Sequence, residues 1–311
     1  MVPSTETPSA PGDTPALSRA LRRPGTLTLA SIACLVGLAW IYLGVMVGAA
    51  GRAAGAYGPG MGLFDLIMAG RLDAAGRTVV DVLCRPAFAG MGEPFGLPTG
   101  VGDLALVFLM WSAMAVAMML PTAGPMVLTY AEIAEVAAAK RERVVSPLVL
   151  AAGYLAAWLG FAVAATALQW GLIRLALLDR GLVAASPLFS GAIFIGAGAY
   201  QFSGLKHACV TVCQRPFPYL FAHWSAEPRA VLRQGLAQGL YCLGCCWAMM
   251  LMMFAVGVMN VVWMAGLGAV MAVEKTTRTV RFGHAVGVIL ITIGAAFVVS
   301  SVVEHWPTHR P

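Results

Sequence analysis

Seven apolar runs, separated by polar or basic stretches, organise this 311-residue chain. The first covers about 27–50. The second starts at Asp103 and runs on well past Met126, longer than the roughly 20 residues that cross a bilayer, so its far end is expected to project from it. The third and fourth cover about 147–173 and 187–205. The run from 235 to 273 is too long for one crossing, and Gly257 and Asn260 near its middle divide it into spans at about 236–256 and 258–273. The seventh covers about 283–303. Runs of this length without charge read as transmembrane helices. The pattern predicts an all-α fold, a polytopic transmembrane helix bundle of about seven spans. It forms one domain over 25–305, between a Pro-, Ser- and Thr-rich disordered tail at 1–24 and a short tail at 306–311. The first apolar run starts too late and is too long for a cleaved signal peptide, so it is expected to remain as an anchor.

Composition supports that reading. Apolar residues make up 59% of the chain and charged residues only 11%, against roughly 25% charged in ordinary globular domains; mean hydropathy is +0.81. Membrane lipids are therefore the expected solvent of most of the surface. The net charge of +6 is dispersed, without the basic-aromatic stripe of a nucleic-acid binder, and informs orientation instead. Basic residues collect at Arg19, Arg22 and Arg23, at Lys140, Arg141 and Arg143, at Lys206, Arg215, Arg229 and Arg233, and at Lys275, Arg278 and Arg281. If these face the cytoplasm, the N-terminus is cytoplasmic and the C-terminus outside. Residues 51–100, with a lone Cys84, then form an outer loop containing an amphipathic interfacial helix. Residues 206–234 form a cytoplasmic loop. Glu274 and Lys275 read as ordinary interfacial charges. Asn260 caps the turn between the two short spans or bonds between helices. The chain has no phosphate-cradling glycine loop, no His-Glu-x-x-His and no nucleophile elbow, so no catalytic residues are assigned.

The chemistry lies in the sulfur. The stretch GLYCLGCCWAMMLMM, residues 239–253, carries three cysteines and four methionines. Spacings of three and four put Cys242, Cys245 and Cys246 on one helical face, and Met249, Met250 and Met253 continue it. The loop before it holds His207, Cys209 and Cys213, the two cysteines again four apart. On the topology above, both groups sit at the reducing side of the membrane, where metal binding or transient redox chemistry outranks a structural disulfide. Thiolate and thioether are soft ligands suited to Cu(I), and thiolate also to Zn(II). Apolar packing is the plain alternative, because free Cys behaves as a small hydrophobe. In the second run, Met114 and Met118 step by four from Met110, with Met119 beside them, and Pro121 and Pro125 break the helix. A broken helix at that depth is tolerated where it lines a cavity or is covered by protein. Such a ladder offers a thioether path for Cu(I), though methionine also fills irregular cores.

The pieces AMMLPTAGPM, YQFSGLKHACVTVC, GLYCLGCCWAMM and GVMNVVWMAGLGAVMAVEK resemble a bacterial family of predicted metal-binding integral membrane proteins of unassigned function. The resemblance spans about 114–275 and implies metal handling in a bacterial inner membrane. The family pattern has Thr-Pro where Ser203-Gly204 stand here, and often a His where Val212 stands, a ligand that is lost here or replaced by His207. Three functions follow. The first is soft-metal binding, with a copper ion ahead of a zinc ion, for transport or for delivery to a membrane or periplasmic cuproprotein or metallochaperone. In it Cys242, Cys245 and Cys246 are primary ligands, Cys209, Cys213 and His207 complete the set, and Met114, Met118, Met119, Met249 and Met250 supply the thioether path. The second is a transmembrane thiol-disulfide oxidoreductase built on Cys242 and Cys245, which have the two-residue spacer that such chemistry favours. The third is a structural subunit of a membrane complex.

Overall fold

A computed structural model describes residues 24–50, 101–178, 182–277 and 279–305. The expected outer amphipathic helix, Cys84, residues 1–23 and residues 306–311 lie outside the described residues; Pro24, expected to end the tail, starts the first helix. The described chain is helical: α1 (Pro24–Ala50), α2 (Val101–Met119), a 3-10 turn (Pro121–Ala123), α3 (Gly124–Ala139), α4 (Pro147–Arg174), α5 (Pro187–Tyr200), α6 (Gly204–Gln214), α7 (Pro216–Ala222), α8 (Pro228–Leu251), α9 (Met253–Val256), α10 (Val261–Thr276) and α11 (Val280–His305).

Local sequence sets these boundaries. Ser146 and Ser186 accept hydrogen bonds from the Leu148 and Phe189 N–H groups, with Pro147 and Pro187 at the first helical position, the arrangement that satisfies the free donors of a helix start. Ser203 does the same for Lys206 N–H at 3.2 Å. Ser203-Gly204 thus starts α6 by the same capping chemistry that a Thr-Pro pair provides. Residues 206–234, expected as a loop, therefore contain the helices α6 and α7, with α6 bent by 64° from α5.

Five helices are long and apolar enough to cross a membrane, Gly25–Val47, Val101–Met119, Pro147–Arg174, Pro228–Val256 and Val280–Val303, or six if the bent pair α5 and α6 forms one span. The expected crossing at 258–273 is α10, 16 residues long. At 1.5 Å per residue it spans about 24 Å, less than the roughly 30 Å of a bilayer's hydrocarbon core. The chain breaks before it where Gly257 takes φ 105°, a conformation glycine reaches without strain. Asn260 then starts α10, its Oδ1 accepting from Trp263 N–H at 3.2 Å and its Nδ2 donating to Val256 O at 3.3 Å. Asn260 is fully buried, so Asn260→Ala is expected to lower the unfolding free energy by about 1–2 kcal/mol, measured as a shift of the denaturation midpoint in detergent.

Small residues fix how closely the helices approach. A Cβ added at Gly235 of α8 would sit 2.0 Å from Leu150 O of α4, and one at Gly153 would sit 2.1 Å from Leu232 O. Gly239 and Ala157 continue this contact one turn on. This is the small-xxx-small packing by which helices associate where lipid is as apolar as leucine. Helices α5 and α11 meet similarly through Gly191 and Gly198 against Gly294 and Gly287. Away from these seams, Leu38 and Ile41 on α1 and Val288, Ile289 and Val303 on α11 are exposed, which is compatible with a membrane setting. The α4–α8 pair, with α2, α6 and α10 around it, carries the sulfur cluster.

Candidate metal centre

Cys242, Cys245 and Cys246 are all buried, and their sulfur atoms lie within 4.8 Å of one another. Among the described residues they are the group of three or more His, Cys, Asp or Glu side chains close enough to share a metal ion. Positions i, i+3 and i+4 of one helix put them there. Cys245 and Cys246 Sγ are 3.4 Å apart, and the Cys245 thiol also points to Cys242 O at 3.1 Å. Cys213 of α6 lies against Cys242 and Cys245 and is half-buried, so a fourth thiol meets the cluster from a second helix.

The other expected ligands are placed differently. Cys209 packs on Gly244 of α8, where an added Cβ would meet its Sγ at 2.6 Å. Gly244 is half a helical turn away from the face of Cys242 and Cys246. His207 turns back on its own helix, Nδ1 lying 2.8 Å from Ser203 O, with its ring edge-on to His284 at 5.2 Å. Neither joins the three-cysteine group. Met114, Met118, Met119, Met249 and Met250 are buried in one core with Met253, Met264 and Met271. Met118 passes over Gly268 of α10, about 3.6 Å from where a Cβ would stand. These thioethers form part of one soft, apolar core.

The sequence reading missed the polar partners of Cys242. Lys275, expected as an interfacial charge, turns inward and donates from Nζ to Cys242 Sγ at 2.8 Å and to Thr122 Oγ1 at 2.7 Å. Thr122 Oγ1 donates to Met119 O at 2.7 Å. The Tyr154 hydroxyl lies 2.8 Å from Cys242 Sγ and donates to Met119 O at 3.0 Å. The break at Pro121 creates this arrangement. Ala123 N–H turns to Leu120 O, so the Met119 carbonyl loses its helical partner and takes two side-chain hydroxyls instead. Pro121 and Pro125 are themselves exposed, and the break holds Thr122 on the inner side, beside the thiols. One signal for Lys275 was present in the sequence. Cys242 stands 14 residues before the end of α9 at Val256, and Lys275 stands 14 residues after the start of α10 at Val261. A hairpin folded at Gly257 brings those positions level. The neighbouring Glu274 is not a solvated charge either: it forms a 2.8 Å ion pair with Lys206 of α6, both side chains nearly buried.

The chemistry of this site is that of a soft cation. Thiols of three residues converge within a buried apolar core, and one sulfur faces an ammonium group, which offsets negative charge that burial would otherwise penalise. The chain matches the PpoB2 family, described as a copper chaperone, over residues 108–297, more than half of its length. It belongs to the PpoB2 copper chaperone family. Within this PpoB2 chain the matched stretch contains all four clustered thiols, Tyr154, Thr122 and Lys275. The metal-handling family expected from the sequence is therefore a copper family. No curated protein and no solved structure matches the chain.

Proposed function

We propose that this chain is a membrane-embedded copper chaperone that holds Cu(I) on Cys242, Cys245 and Cys246 and passes it to a cuproprotein, with Cys213 as the exchanging thiol. The observation that carries the reading is the convergence of the three sulfurs within 4.8 Å. Three sulfurs at about 2.3 Å from one ion stand about 4 Å apart, so closing the site needs movements of less than about 1 Å. Cu(I) on three thiolates leaves two negative charges, and the Lys275 ammonium, 2.8 Å from Cys242 Sγ, offsets one. Thioethers around the site favour copper over zinc, which takes four thiolate, imidazole or carboxylate ligands in a closed tetrahedron. Cys213, which alone of the four keeps exposed surface, is placed to exchange the ion.

The test is anaerobic loading of detergent-purified protein with Cu(I), followed by metal analysis and X-ray absorption. One copper per chain with sulfur neighbours at about 2.3 Å is expected. Copper bound through nitrogen and oxygen alone, or none retained, overturns the reading. Cys213→Ser is expected to slow transfer to a competing chelator about tenfold or more, on the scale of an outer-ligand change. Cys209→Ser, on the other side of the helix, should leave transfer unchanged.

A further inference from the structure

A cavity of about 700 Å³ opens beside the start of α8, lined among others by Tyr219, His223, Glu227, Arg229, Arg233 and Gln234. Its size is that of a small-ligand pocket. Arg229 and Arg233 are exposed at its rim, and Glu227 is the acidic residue among its lining, so the mouth is net positive. The hydroxyl of Tyr219 is pushed up in pKa by burial and then by Tyr241, which keeps it a neutral donor at physiological pH.

Gln234 lines the cavity, and the helix face that carries it runs on to the thiols. Gln234, Gln238 and Cys242 step by four along one face of α8. Gln234 and Gln238 are 5% and 2% exposed. Gln234 Nε2 donates to His223 O, but Gln234 Oε1 and Gln238 Nε2 have no hydrogen-bond partner. Buried amide atoms are almost always paired with protein or water, so one unpaired amide atom on each of two consecutive turns marks a place for something polar to pass or rest. From Gln234 to Cys242 is eight residues, about 12 Å along the helix.

We propose that this cavity is a loading vestibule, which receives Cu(I) as an anionic complex with a small carboxylated thiol, and that Gln234 and Gln238 line its passage to the thiols. The inference rests on the copper reading above and names the form in which the ion arrives. Cu(I) held by two thiolates carries one negative charge before its carboxylates are counted. Guanidinium groups bind carboxylates through paired hydrogen bonds. Transfer is then ligand exchange: two protein cysteines form Cu–S bonds as the two carrier Cu–S bonds break, their protons going to the two departing thiolates. The third cysteine then adds to the ion and gives its proton to solvent, and copper stays Cu(I) throughout.

The test uses the full chain in detergent, loaded anaerobically at low ionic strength from two sources, the Cu(I)–glutathione complex and the cationic Cu(I)–acetonitrile complex. The rate at which copper becomes protein-bound is followed by rapid desalting and metal analysis. Arg229→Gln/Arg233→Gln, two surface changes, is expected to slow loading from the glutathione complex about tenfold, as lost electrostatic steering does. It should leave loading from the acetonitrile complex and the final copper content unchanged. Gln238→Met is expected to slow loading from both sources without changing the final content. Equal rates for the arginine variant and wild type, or equal slowing from both sources, overturn the vestibule; so does a wild-type rate for Gln238→Met. Failure of the wild-type chain to take copper onto sulfur from either source overturns the copper reading itself, which separates the two failures.

Discussion

Serine at Cys242, Cys245 and Cys246 together is expected to weaken Cu(I) binding by at least about 100-fold, because changing even the groups behind metal ligands costs 10–100-fold. Competition with a Cu(I) chelator measures it. The effect follows from ligand type: a serine hydroxyl is a hard, protonated oxygen, and Cu(I) prefers thiolate and thioether. The same titration on Cys34→Ser, an exposed position, and on Cys209→Ser, packed against Gly244, should give the wild-type curve. Undiminished binding in the triple variant would remove the site. Reversible oxidation of Cys242 and Cys245 in the wild-type chain, with no copper retained, would favour the thiol-disulfide alternative instead.

Gly235→Val is expected to cost about 3 kcal/mol or more and to be read as lost folded yield and a lowered denaturation midpoint in detergent. The new side chain would have to enter space already taken by the Leu150 carbonyl of α4, 2.0 Å from where its Cβ belongs. Backbone cannot swing aside as a side-chain tip can, so overpacking here lies at or beyond the upper end of its usual range. The same displacement would draw Cys242 away from Tyr154, because both lie on this seam, so residual protein should also bind copper more weakly. Gly160→Ala is the contrast. Nothing lies within 4 Å of a Cβ there, and replacing a mid-helix glycine with alanine is expected to be neutral or to stabilise by about 0.5–1 kcal/mol. A wild-type midpoint for Gly235→Val would show that α4 and α8 do not pack as described.

The helical class and most helix positions were legible in the sequence because lipid demands long uncharged runs, and capping serines and prolines mark where helices begin. The count of crossings was less legible. Apolar residues alone do not distinguish a full span from the 16-residue α10 or from the bent pair of α5 and α6. Hydropathy records what surrounds a segment, whereas a bend depends on which helices it packs against. Residues 206–234 were read as a loop because they lie between two apolar runs, yet they hold α6 and α7, and Lys206 is buried against Glu274.

By itself the sequence determined that three thiols share one helical face in an apolar setting, since a period of 3.6 residues leaves no other arrangement for positions 242, 245 and 246. It also marked them as soft ligands, with copper expected ahead of zinc, and the family match then supplied copper. Only the tertiary structure decided which groups from elsewhere meet them. Cys213 arrives and Cys209 does not, because α6 crosses α8 at one angle and four residues along a helix is a shift of about 6 Å. Lys275, Tyr154 and Thr122 come from 33, 88 and 120 positions away along the chain. They reach Cys242 through a hairpin at Gly257, a glycine seam and a proline break. No local period encodes such contacts, since each depends on where two separate helices happen to touch.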